Sequence, residues 1–157
     1  MSRDEIIKQL KNYFRIEELV CPHTFNKFGE VSWQFLDTEI LHTLLILRRD
    51  IFKTEMYINN WHIKGNPLYD ERGFRCNICD LCYNKTVKRE IYLTSHANGA
   101  AFDSDVKGLT AEQARILIKK NKDLLPYPIR IEKGVNWLHF DKYVANGVVE
   151  KVTEFSA

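Results

Sequence analysis

Ile40, Leu41, Leu44, Leu45 and Leu47 recur at helical spacing behind Asp37, and a stripe this apolar must be buried along one side of a helix. The pattern fades near Phe52. A buried stripe requires a second layer to cover it. With 157 residues, of which 45% are hydrophobic and 12% aromatic, the chain can build one such core. Ser2 and Glu5 have the spacing of a capping box, with Ile6, Ile7, Leu10 and Phe14 on one helical face behind them. A first helix over about residues 3–13 is expected.

Beyond Phe52 the periodicity changes. Met56-Tyr57-Ile58 reads as a short strand, and residues 62–75 carry Gly, Pro, Asp and Arg without period, as a long loop does. Glu90–Thr94 and Ala101–Val106 read as strands on either side of an Asn98-Gly99 turn. Thr110 and Gln113 form a second capping box, opening a helix through Ala114, Ile116, Leu117 and Ile118. Pro126 and Pro128 end that pattern, after which Ile129–Glu132 and Trp137–Phe140 read as strands joined around Gly134. Helices first, then strands with one helix between them, predict an α+β fold: a small antiparallel sheet flanked by helices, in one domain with a helical part at about 1–55 and a sheet part at about 56–150.

Charge excludes some functions. The 23 Lys and Arg against 21 Asp and Glu give a formal net charge of +2, with no block of like charges, so a dedicated nucleic-acid binder is not expected. A charged N-terminus without a signal-peptide core, and the lack of an 18-residue apolar run, predict a soluble, monomeric product made in the cytoplasm, without membrane insertion. Without a signal peptide, disulfides among Cys21, Cys76, Cys79 and Cys82 are the weaker reading. A structural zinc is the alternative, since Cys21-Pro22-His23 can join two of the clustered cysteines in a tetrahedral set. Cys-x2-Cys-x2-Cys lacks the usual pair of separated ligand hairpins, so buried free thiols are the preferred reading. His23, His42 and His62 have no partner spacing and are read as structural.

A zinc hydrolase uses three protein ligands and leaves one position open. Across a turn at Asn98-Gly99 or Gly99-Ala100, His96 and Asp103 project from the same side of a hairpin in either register, roughly 5 to 8 Å apart at Cβ. Gly99 permits the turn. A third ligand must come from elsewhere, and His139 stands in an aromatic-flanked strand, Trp137-Leu138-His139-Phe140-Asp141. In a hairpin closed by a two- or four-residue loop, Glu132 faces the same way as Trp137 and His139; an odd-length loop turns it away.

Ser95-x-His96-x-x-Gly99-x-Ala101-x-Asp103, followed about 35 residues later by Trp137-x-His139-x-Asp141, resembles the zinc D-alanyl-D-alanine peptidases of the M15 family, which share their fold with the hedgehog signalling domain. The resemblance covers roughly residues 56–142, and Phe14–Leu19 is similar to the N-terminal part of phage-borne members. It implies His96, Asp103 and His139 as ligands of one catalytic zinc, and Arg75, in Gly73-Phe74-Arg75, as the residue holding substrate and oxyanion. Ser95, Asn136 and Trp137 fall at substrate-contacting or ligand-supporting positions. Many members place a Glu or Asp where this chain has Asn136, which cannot serve as a base. Glu132 is the substitute candidate base, and Asp141 the second choice, as base or as the group orienting an imidazole. The implied activity is hydrolysis of peptidoglycan stem or cross-link peptides, by a D-Ala-D-Ala carboxypeptidase or an endolysin-like endopeptidase of phage or prophage type reaching the wall after lysis or separate export. A non-catalytic zinc-containing cell-wall-binding or phage structural module is the alternative.

Overall fold

The computed structural model describes residues 1–65 and 67–156; residue 66 of the predicted loop and residue 157 lie outside the described residues. Helix α1 (Arg3–Leu10) begins at Ser2, and both arms of the Ser2–Glu5 capping box are made. Helix α2 (Pro22–Phe28) starts with a proline in its first turn, where a missing N–H costs nothing. Asp37 caps α3 (Thr38–Ile46) by accepting from the Glu39 and Ile40 N–H groups. The same helix tightens no further but widens into a π-helical turn over Leu47–Phe52, ending at Lys53 in the left-handed region.

Five strands form one sheet in the order β1-β2-β4-β3-β5: β1 (Met56–Tyr57), β2 (Ala101–Val106), β3 (Ile129–Glu132), β4 (Leu138–Asp141) and β5 (Val152–Phe155). The first four pair antiparallel, as expected, whereas β5 pairs parallel with β3 and extends the sheet beyond residue 150. Two further helices, α4 (Asp80–Val87) and α5 (Ala111–Lys120), complete the fold. In α5 the Thr110–Gln113 capping box is present. The predicted strand over Glu90–Thr94 does not form; these residues are irregular, with Ile91 and Leu93 exposed.

Alternation in the strands separates two faces. Phe102, Ile129, Ile131, Leu138 and Phe140 enter the same buried cluster as Ile6, Leu10, Leu41, Leu44 and Leu45, so the α3 stripe finds its cover in both α1 and the sheet. The opposite face carries Asp103, Glu132, His139 and Asp141. Among the described residues no helix is long and apolar enough to cross a membrane.

Arg115 of α5 is the buried cation of this framework. Its guanidinium donates to the carbonyls of Glu132, Val135 and Trp137, at 3.1–3.2 Å, and to Glu112 at 2.9 Å. It thereby fixes the β3–β4 connection. Replacing it by Met leaves three carbonyls without their donor, and Arg115→Met is expected to destabilise the fold by about 2–4 kcal/mol in urea denaturation. An unchanged midpoint would show that water replaces it without loss.

Candidate metal centres

His96 and Asp103 reach one another by a route other than the predicted hairpin. His96 lies in a turn over residues 95–99 rather than on a strand. The turn is closed by Gly99 N–H to the His96 carbonyl and Ala100 N–H to the Ser95 carbonyl, and it is tied to the start of α3 by Asp37 N–H to the Gly99 carbonyl. Gly99 has φ +65°, and a Cβ there would run into the Phe35 carbonyl oxygen, so this position needs glycine on both counts. β2 pairs Asp103 directly with His139 of β4. These two side chains are neighbours in the ladder, and His96 is brought over them by the turn.

The three side chains are buried, and their donor atoms lie within 4.8 Å of one another. His96 Nε2 is 3.3 Å from Asp103 Oδ2, and His139 Nδ1 is 2.7 Å from Asp103 Oδ1. The far nitrogen of each ring is engaged elsewhere: His96 Nδ1 with the Gly73 carbonyl at 2.9 Å, His139 Nε2 with Asp141 Oδ2 at 3.0 Å. This is the arrangement by which outer partners fix the tautomer and orientation of metal-binding imidazoles. The group could hold a metal ion.

The electrostatics follow from close packing of opposite charges. Burial raises Asp103, but hydrogen bonds from His139 and His96 outweigh it and hold the carboxyl below the usual range. Burial lowers His139, yet its bonds to Asp103 and Asp141 prevail and lift it to about 9. Asp141 is raised by burial and, more strongly, lowered to about 2 by His139 and Arg130. Arg130 grips Asp141 with two bonds, at 2.8 and 2.9 Å, and the Ser95 hydroxyl approaches the same carboxylate at 3.5 Å. Asp141 therefore sits where it orients His139, and its negative charge is already shared between two cations.

Extending the pairing of Arg130 with Asp141 and of Ile131 with Phe140 by one step puts Glu132 across from His139. It lines the same cavity, about 330 Å³, together with Arg75, His96, Asp103, Trp137 and His139. Arg75 donates to the Glu71 carbonyl and lies 3.4 Å from Asp103 Oδ2. Asn136 is not brought to the site; it is exposed and lines a separate cavity with Ser104, Leu109 and Arg115. Phe155 of β5 was not foreseen: its ring lies 5.6 Å from that of His139, under the Arg130 guanidinium. Nothing but the weak alternation of Val152–Phe155 marks it in the sequence.

A second group assembles from cysteines. Cys21, His23, Cys76 and Cys79 also place their ligand atoms within 4.8 Å of one another and could hold a metal ion. All four cysteines are unbridged. His23, read as structural, joins the group, while Cys82 lies on α4 facing another cavity. The thiols are free, and all but the half-buried Cys76 are buried, as expected; three of them nonetheless cluster with His23, because the loop carrying Cys76 folds back onto the start of α2. Comparison of the chain with protein-family models, with curated proteins and with solved structures finds no match.

Removing the outer carboxylate should weaken the first centre without removing a ligand. Asp141→Asn is expected to lower metal affinity of the His96–Asp103–His139 group by about 10–100-fold in chelator competition. Unaltered affinity would mean that Asp103 and the packing against Phe155 alone hold His139.

Proposed function

We propose that the chain is a zinc-dependent peptidase acting on peptidoglycan stem or cross-link peptides. The observation that carries this reading is the placement of Glu132 across from His139, in one cavity with His96, Asp103 and Arg75. Two imidazoles and one carboxylate suit zinc and leave a coordination position free for chemistry. Zinc held there supplies Lewis acidity, polarising a peptide carbonyl and lowering the pKa of water.

The protein's own residues supply the rest. Glu132 makes no ion pair among the described residues, which leaves its carboxylate free to take a proton from the attacking water and deliver it to the departing amine. Asp141 is the poorer base, since Arg130 and His139 already hold its charge. Arg75, lodged against Asp103, places a fixed positive charge beside the reacting carbonyl, where negative charge develops. Ser95 and Trp137 flank the cavity, positions suited to substrate contact. Tyr92, Leu93 and Thr94 line its rim, with Leu93 exposed, and an extended peptide can lie along them.

Glu132→Ala is expected to reduce the release of new amino groups from cell walls and synthetic stem peptides by about 10²–10⁴-fold, with the zinc content unchanged. Inactivity of the wild type on a panel of wall chemotypes, at full metal occupancy, would overturn the peptidase reading in favour of a binding module.

A further inference from the structure

We propose that Cys21, His23, Cys76 and Cys79 hold a second, structural zinc ion, which fastens the segment carrying Arg75 and α4 to the N-terminal helices. This inference is independent of the peptidase reading.

Distances come first. In a tetrahedral zinc site, sulfur at about 2.3 Å and nitrogen at about 2.0–2.1 Å place neighbouring sulfurs about 3.8 Å apart and sulfur–nitrogen pairs about 3.6 Å apart. Cys76 Sγ and Cys79 Sγ lie 3.8 Å apart, and each is 3.7 Å from His23 Nδ1. Cys21 Sγ closes the set within the 4.8 Å limit that encloses all four donors. Three soft thiolates and one imidazole select zinc over hard cations, and four protein ligands leave no position open for chemistry.

Chain order adds a second argument. The ligands arrive as Cys-x-His at the beginning of α2 and Cys-x2-Cys at the beginning of α4, two short loops joined by backbone pairing. Val20 and Phe74 form a parallel bridge, with Phe74 N–H to the Leu19 carbonyl at 2.9 Å and Cys21 N–H to the Phe74 carbonyl at 3.0 Å. Gly73 lies so close to Leu19 that a Cβ would overlap the Leu19 carbonyl oxygen. The backbone is therefore built to bring the two ligand pairs together.

Packing supplies the third. Cys82 is the one buried residue within α4, and Leu81, Tyr83 and Val87 are exposed. A helix that buries so little apolar surface needs another source of stability, and metal coordination provides it in small, poorly cored segments. The consequence reaches the first centre, because the same strand of chain offers the Gly73 carbonyl to His96 and the Arg75 N–H to the His96 carbonyl.

The test is cobalt substitution of the full chain, produced in zinc-depleted medium with cobalt. A thiolate-to-cobalt charge-transfer band in the near ultraviolet is expected, since the His96–Asp103–His139 group contains no sulfur and cannot produce it. The band should persist in His96→Ala/His139→Ala and vanish in Cys76→Ser/Cys79→Ser. Zinc-loaded wild type should contain two equivalents, and chelation should deprotect the amides of residues 76–90 in hydrogen exchange while β2 and β4 stay protected. Should a variant fail to fold, the wild-type spectrum alone decides. A metal-loaded wild type without that band, its four thiols reacting with a thiol reagent at the same rate before and after chelation, would overturn the proposal. Absence of peptidase activity in a wild type that shows the band would count against the peptidase reading alone.

Discussion

The pairing of Leu19–Cys21 with Gly73–Phe74 is the contact on which both candidate metal-binding groups depend. It is a short stretch of backbone hydrogen bonds, and its close approach requires the absence of a side chain at Gly73. Toward one side it delivers Cys76 and Cys79 to Cys21 and His23. Toward the other it aims a carbonyl at His96 and sets Arg75 against Asp103. A few main-chain atoms therefore couple two sites that share no side chain.

The charges of the sheet face are arranged so that each buried carboxylate has cationic or imidazole partners. Asp103 lies between two imidazoles and Arg75, and Asp141 between His139 and Arg130. Such burial is costly without these partners. Glu132 differs in standing on the same face, half-buried, outside this network. Partition of carboxylates into shielded and unshielded ones is how a single face can hold an ion and still offer a proton acceptor.

Where local chemistry determines structure, the sequence was readable. Ser2–Glu5, Asp37 and Thr110–Gln113 all cap helices because side chain and backbone there lie within one turn. The span Ala101–Val106 follows from strand alternation, whereas the parity of Glu132 relative to His139 depends on the length of the β3–β4 connection, which alternation leaves open and the observed register decides. The strand expected over Glu90–Thr94 does not form: these residues pair with no strand, and the apolar Ile91 and Leu93 are left exposed. His96 and Asp103 converge all the same, since the turn at Gly99 is anchored to α3 rather than to a hairpin. His23 was legible only as part of the alternative structural-zinc set with Cys21, and Phe155 could not be read, because its partners lie far along the chain and its neighbourhood carries no periodic signal.

The parallel strand β5 gives the sheet an edge at an unusual place. Edge strands open more readily than central ones, and local opening free energies in a protein run from near zero up to the global value. Phe155 covers His139 from that edge, so the shielding of one imidazole from water depends on β5 keeping its pairing with β3.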